Sequence, residues 1–172
     1  GNASLEVGNV YIEENEIDVG DYGIEFYGYD VGYEMNDNSS LTIGDILVND
    51  NTISSDDYGI YVDCEYFGEY MYGNSSVTMG NIEFCRNVIN SENDGIYLYE
   101  FYEIGYEMND NSSFTMGSIL VNDNTINSGD EGIYVYYFEY FGEDLYGNSS
   151  FTMGNIQFNG NEINSDDYGI YV

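Results

Sequence analysis

Basic side chains are almost absent from this chain of 172 residues. Arg86 is its one lysine or arginine, histidine is missing, and 33 acidic residues bring the formal net charge to −32. Proteins that bind nucleic acid use Lys and Arg to displace the counterions of the phosphates, so this composition excludes a nucleic-acid partner. The same charge opposes a compact fold through self-repulsion unless protons or cations offset it. Divalent cations are therefore expected partners, with calcium as the candidate cofactor.

The chain also lacks the segments that mark membrane proteins and zinc proteins. No run of about 18 apolar residues is present, which predicts that no segment spans a membrane. No charged and then apolar leader precedes Gly1, and the first residue is not Met, which favours a processed or excerpted chain. Cys64 and Cys85 form no CxxC pair and have no histidine to join them, which argues against zinc and thiol-redox sites. In an exported protein these two cysteines predict a disulfide, either within one chain or between chains.

What the chain does contain is one unit repeated five times. The units begin at Asn2, Asn38, Asn74, Asn111 and Asn148, at intervals of 36 or 37 residues, and the last unit is incomplete. Periods of about 20 to 50 residues indicate solenoids or repeat arrays. Because no part of the chain differs in character from the rest, residues 1–172 are expected to form a single repeat domain.

Within each unit, apolar and polar residues alternate in short stretches bounded by Gly, Asn, Asp and Ser, which is typical of β-strands. Since the same residue type returns to the same slot, parallel strands stacked about 4.8 Å apart would place like residues on like. One column of asparagines is expected to pair its side-chain amides along this stack, as asparagine ladders do in cross-β structures. Its members are Asn15, Asn51, Asn87, Asn124 and Asn161. An antiparallel hairpin in each unit is the alternative topology.

Two stretches of the chain, NDNTISSDDYGIYV (49–62) and NDNTINSGDEGIYV (122–135), resemble the repeats of right-handed parallel β-helix proteins. The resemblance extends over most of each unit and over all five units. An aromatic stretch such as DCEYFGEYMYG (63–73) makes each coil longer than in the common form. The predicted fold class is therefore an all-β solenoid, a wide and flattened parallel β-helix or two-layered stack of β-arches.

Two sets of polar residues are candidate sites. Each unit starts with an N-x-S sequon, which predicts glycosylation at Asn2, Asn38, Asn74, Asn111 and Asn148, although Asn-Ser-Ser also makes a good turn. An acidic turn precedes each Gly-Ile pair and would stack carboxylates about one coil apart, so that bridging calcium would relieve their repulsion. A solvated acidic face is the alternative interpretation. These acidic residues are Asp21, Asp56, Asp57, Glu92, Asp94, Asp130, Glu131, Asp166 and Asp167.

The residue types argue against an enzyme. Lyase chemistry on uronates needs a basic residue to abstract a proton, and only Arg86 is available. A glycoside hydrolase needs two carboxylates in different environments, one protonated and one ionised. A polysaccharide hydrolase that uses carboxylates alone is therefore the least favoured alternative.

The acidic, tyrosine-rich, lysine-free repeats, with NSSFTMG and DYGIYV among them, resemble the sheath protein of filamentous methanogenic archaea. This resemblance implies an extracellular structural protein of the cell envelope, whose copies join end to end and laterally into hoops that stack as a protective tube. Its main partner would then be itself. A cell-surface adhesin or glycan-binding solenoid is the alternative, and it predicts a discrete particle that binds sugar.

Overall fold

Short strands joined by turns make up the chain in the computed structural model, which describes residues 2–172. This part of the chain contains no helix. The first coil holds β1 (Ser4–Val7), β2 (Val10–Glu13), β3 (Glu16–Val19) and β4 (Ile24–Tyr29). The second holds β5 (Ser40–Ile43), β6 (Ile46–Asn49), β7 (Thr52–Ser55) and β8 (Ile60–Glu65). The third holds β9 (Ser76–Met79), β10 (Ile82–Cys85), β11 (Val88–Ser91) and β12 (Ile96–Ile104). The fourth holds β13 (Ser113–Met116), β14 (Ile119–Asn122), β15 (Thr125–Ser128), β16 (Ile133–Val135) and β17 (Phe138–Phe141). The fifth holds β18 (Ser150–Met153), β19 (Ile156–Asn159), β20 (Glu162–Ser165) and β21 (Ile170–Tyr171).

Four parallel sheets run along the stack, and each takes one strand from every coil. Sheet A has the order β1-β5-β9-β13-β18, sheet B β2-β6-β10-β14-β19, sheet C β3-β7-β11-β15-β20 and sheet D β4-β8-β12-β16-β21, with β17 also paired to β12. Equivalent slots pair in register, so that Ile60 lies between Ile24 and Ile96. The fold is the predicted β-solenoid of five coils, and the antiparallel alternative is wrong.

The interior of the stack consists of columns of apolar side chains. Ile53, Ile89 and Ile126 occupy one slot of sheet C, pair in register and are fully buried. Burying a side chain of this size contributes about 1.5–3 kcal/mol relative to leaving it in water. The repeated isoleucine therefore stabilises both the strand and its register.

The coil is closed by two layers that face each other. Sheet D packs against sheet B, where the ring centroids of Phe26 and Phe84 lie 6.4 Å apart. The aromatic segment that follows sheet D passes over sheet A, so that a Cβ added at Gly68 would collide with the ring of Phe114. Gly68 also has a φ of +66°, which L side chains rarely adopt, and the sharp return of the chain here requires glycine on both counts.

The inner asparagine column forms a buried hydrogen-bonded ladder. Asn51 donates both its backbone N–H and its Nδ2 to Oδ1 of Asn87, and both distances are 3.0 Å. Its Nδ2 also donates to the carbonyl of Ile12 at 2.8 Å. Asn87 repeats this pattern toward Asn124. The amide-to-amide distances from Asn15 through Asn51, Asn87 and Asn124 to Asn161 are 3.0, 3.0, 3.1 and 3.0 Å. The three inner amides, Asn51, Asn87 and Asn124, thereby satisfy polar groups at a corner that is buried from water.

We expect Asn87→Ala to lower the free energy of unfolding by about 3 kcal/mol or more, because buried donors and acceptors lose their partners. Asn87 is fully buried, accepts from Asn51 and donates to the carbonyl of Val48. The matched control is Asn74→Ala, which removes an exposed amide that bonds to Asn38, and it should cost less than about 1 kcal/mol. Chemical denaturation measures both variants, and equal losses would contradict the buried ladder.

Candidate functional site

The two end coils present open surfaces. The first and fifth coils pair with a neighbouring coil on one side only. One interior slot of sheet B shows the effect, because Ile82 in the middle coil is 1% exposed while Val10 and Ile156 in the end coils are 37% and 40% exposed. Unpaired edge strands with apolar slots are templates for further strand pairing.

The polar groups at the two ends of the inner ladder are complementary. In the fifth coil, the backbone N–H of Asn161 finds no acceptor within residues 2–172. In the first coil, Oδ1 of Asn15 receives no donor from the same residues. A further coil at either end would therefore meet the same kind of group that each internal coil meets.

Tyrosine columns cover the outer face of sheet D. The rings of Tyr97 and Tyr134 stack with centroids 4.8 Å apart and an interplanar angle of 1°. Tyr61 and Tyr171 extend this column at 5.7 and 5.2 Å. A second column follows the aromatic segment through Tyr29, Tyr66, Tyr102 and Tyr140, with spacings of 4.9, 5.8 and 5.2 Å. Aromatic pairs of this kind contribute about 0.5–1.5 kcal/mol beyond the area they bury.

A β-bulge interrupts the register of sheet D between the second and third coils. Leu98 pairs with Val62, but the next pair is Glu100 with Asp63, so that Tyr99 is an extra residue in β12. Bulges of this kind re-aim side chains and are over-represented beside functional sites. The change of repeat length from 36 to 37 residues, visible in the sequence, marks this insertion.

The bulge brings three carboxylates together on the outer face of sheet D. One oxygen each of Asp63, Glu65 and Glu100 lies within 4.8 Å of the other two, and this is the one such acidic group among residues 2–172. Asp63 is only 6% exposed, and its Oδ1 is buried without a hydrogen-bond partner. Sequence reasoning missed this group, since it considered only the acidic turns before Gly-Ile.

Burial and mutual repulsion keep several carboxyl groups close to their neutral form. Burial, together with the nearby Glu100, raises the pKa of Asp63 to about 6. Burial and the charges of Glu100 and Asp63 raise the pKa of Glu65 to about 7. Burial also raises the pKa values of Glu69 and Asp94 to about 7. Hydrogen bonds from Tyr70 to Glu69 and from the backbone of Glu131 to Asp94 lower these pKa values, but burial has the larger effect. Part of the formal charge of −32 is therefore neutralised by protons near neutral pH.

The acidic turns before Gly-Ile do not gather three carboxylates at one point within residues 2–172. Asp94 is buried and accepts the backbone N–H of Glu131 at 2.9 Å, while Asp57 accepts from the side chain of Asn93. Glu131 is partly covered, and the other six members are exposed: Asp21, Asp56, Glu92, Asp130, Asp166 and Asp167. Local hydrogen bonds occupy two of the carboxylates, Asp57 and Asp94, and calcium bridging between these turns stays a prediction.

The sequon asparagines form a second, exposed ladder. Their Nδ2 groups donate to the Oδ1 of the preceding unit, in a direction opposite to that of the inner ladder. The distances from Asn38 to Asn2, Asn74 to Asn38, Asn111 to Asn74 and Asn148 to Asn111 are 3.1, 2.9, 3.1 and 3.1 Å. A sugar on Nδ2 would take one of the two amide hydrogens and compete with this ladder. Glycosylation at these positions stays a prediction.

Both cysteines are buried and free, so no disulfide joins Cys64 to Cys85 within this chain, and a disulfide between chains stays a prediction. Cys64 belongs to sheet D and lies in the core beside Phe67 and Met79, whereas Cys85 ends β10 in sheet B. Strand alternation from the buried Phe84 would place Cys85 on the outer face, yet Cys85 is only 8% exposed. Burial raises the pKa of the Cys64 thiol to about 12 and also raises that of Cys85.

No family model, no curated protein and no solved structure matches the chain. Residues 2–172 hold no helix of the length and apolarity that crossing a membrane requires. The geometry of the chain itself therefore carries the functional argument.

We expect the folded protein to become more stable as the pH falls from about 8 to about 5. The buried carboxyl groups of Asp63, Glu69 and Asp94 have pKa values above their ordinary values in the folded state, so the native state binds more protons than the unfolded state in this window. The gain should be about 1 kcal/mol or more, and it is complete below the ordinary pKa of about 4. Thermal and chemical denaturation in a chelating buffer across this range measure it.

The matched controls for this pH dependence are two double variants. Glu69→Gln with Asp94→Asn should flatten the dependence, whereas Asp166→Asn with Asp167→Asn, two exposed positions, should leave most of it. Stability that rises with pH in the unchanged protein would contradict the assignment.

Both thiols should be unreactive in the folded protein. Cys64 and Cys85 are 7% and 8% exposed, and burial disfavours their thiolates, which are the reactive forms. A thiol reagent should label neither cysteine in buffer and both in denaturant. A covalent dimer on a non-reducing gel, or rapid labelling of either cysteine in buffer, would contradict this prediction.

Proposed function

We propose that the chain is a structural protein of the cell surface that polymerises end to end into hoops or tubes, forming an extracellular sheath. The observation that supports this proposal is the complementarity of the end coils, which have apolar slots, unpaired strand edges and opposite ends of one asparagine ladder. A contact between the fifth coil of one copy and the first coil of the next is heterologous, and such contacts produce rings or open filaments.

The slots of the two end coils suit this contact in charge as well as in shape. Continuing the register of the stack would bring Glu6 of the next copy over Thr152, Glu13 over Asn159 and Asp18 over Asn164. Glu16 would face Glu162, the one acid-on-acid pair of sheets A, B and C. Like charges directly opposite are destabilising, and the fifth coil places neutral side chains at most of these positions.

Apolar slots match in the same arrangement. Val10 would lie over Ile156 in sheet B, and Ile17 over Ile163 in sheet C. The exposed tyrosine columns of sheet D lie on the side of the stack, where they are available for lateral contacts between polymers. The near absence of Lys and Arg leaves trypsin-like proteases one side chain to recognise, which suits a protective layer.

Polymerisation is tested with the purified chain by light scattering over a concentration series and by negative-stain microscopy. We expect particles that grow with concentration into rings, filaments or tubes. Ile156→Lys, which places a charge in an interior slot of the open fifth coil, should leave folded monomers, because a buried unpaired charge opposes the next coil.

The matched control is Thr152→Lys, which adds the same charge to the outer face of the same coil and should still polymerise. A stable monomer at all concentrations, or identical behaviour of the two lysine variants, would overturn the proposal. A discrete particle that binds polysaccharide would instead favour the adhesin alternative.

A further inference from the structure

We propose that Asp63, Glu65 and Glu100 bind one divalent cation of the hard, oxygen-preferring class, with calcium as the fitting ion. This site lies apart from the acidic turns and from the end coils, on the outer face of sheet D between the second and third coils. It is built by the bulge at Tyr99.

The spacing of the three oxygens fits a single ion. One oxygen from each carboxylate lies within 4.8 Å of the others. Calcium binds oxygen at about 2.3–2.6 Å, so two ligands of one ion are at most about 5 Å apart. One calcium ion can therefore contact all three carboxylates, with water completing its shell on the open side.

Asp63 is the strongest evidence that this is more than a patch of surface acids. Its side chain is 6% exposed, and Oδ1 has no partner among residues 2–172. Burying a polar group without a hydrogen bond is costly, and more so if the group is charged. A cation held by the Asp63 carboxylate would offset that cost, whereas solvent has little access to this side chain.

The protein itself offers no counter-charge. Lysine and histidine are absent. The guanidinium of Arg86 forms a bidentate ion pair with Asp50, in which Nε donates to Oδ1 at 2.8 Å and Nη2 donates to Oδ2 at 2.7 Å. The charge of the triad must therefore be balanced from solution, either by a proton or by a metal ion.

Within the described residues, 2–172, the site occurs once. The slot that holds Asp63 and Glu100 in the second and third coils holds Tyr27 in the first, and the slot of Glu65 holds Tyr29 there. The acidic triad thus exists only at one coil boundary, beside an open recess lined by Tyr66, Tyr99, Tyr136 and Tyr137. The proposal accordingly predicts one ion per chain.

These tyrosines provide the readout. Terbium(III) has nearly the radius of calcium and luminesces when an excited tyrosine nearby transfers energy to it. The chelator-stripped protein is titrated with terbium at about 0.15 M KCl, where the Debye length is about 8 Å and diffuse binding to the acidic surface is weak. We expect terbium binding to saturate at one ion per chain, and we expect added Ca²⁺ to displace the bound terbium.

Three variants test whether the triad is the site. Asp63→Asn and Glu100→Gln should each weaken terbium and calcium binding about tenfold or more, since each removes a charged ligand. Asp167→Asn removes one exposed charge from the fifth coil and should leave binding unchanged. Circular dichroism checks that each variant is folded. If Asp63→Asn does not fold, the test rests on Glu100→Gln, whose side chain is less buried.

Saturable binding that is unchanged in Asp63→Asn and Glu100→Gln, an equal loss in all three variants, or signal no greater than diffuse binding would overturn the site.

Discussion

Each inner asparagine from Asn15 to Asn124 donates its backbone N–H and its side-chain amide to one oxygen of the next coil, and this contact fixes the register of the stack. Because side chains alternate between the two faces of a strand, a slip of one residue would turn the isoleucine columns outward and the acidic residues inward. Asn51, Asn87 and Asn124 are almost completely buried, so their amides have no competing partner in water. The four sheets, the dry core and the tyrosine columns all depend on this register.

The same stacking that aligns apolar residues also concentrates negative charge, and the structure disperses it in several ways. In several columns an acidic residue of one coil lies next to neutral residues of the following coils, as when Glu6 is followed in its column by Thr42 and Thr78. Asp50 forms an ion pair with Arg86, the one arginine of the chain. Carboxyl groups that remain crowded or buried, such as Asp94, have raised pKa values and take up protons near neutral pH. Acidity and compactness are compatible here because few like charges meet directly.

The repeated slots made the fold predictable, since a residue that recurs every 36 or 37 positions must find an equivalent environment in each coil. The isoleucine and inner asparagine columns followed from this argument alone. The burial of side chains next to the turns did not, because it depends on local backbone geometry that alternation does not give, as the buried Cys85 illustrates. The triad at Asp63 was missed for a related reason: a one-residue insertion shifts the slots, and alternation then no longer gives the facing residue.

The hydrogen bonds between coils all run parallel to the long direction of the stack, because the strands lie across it. A pull along that direction loads the bonds of four sheets together, so a boundary between coils yields only when the whole cross-section separates. A peeling force at one edge instead opens the bonds one after another. A stack of such coils therefore resists tension along its axis better than it resists peeling that starts at one edge of a coil boundary.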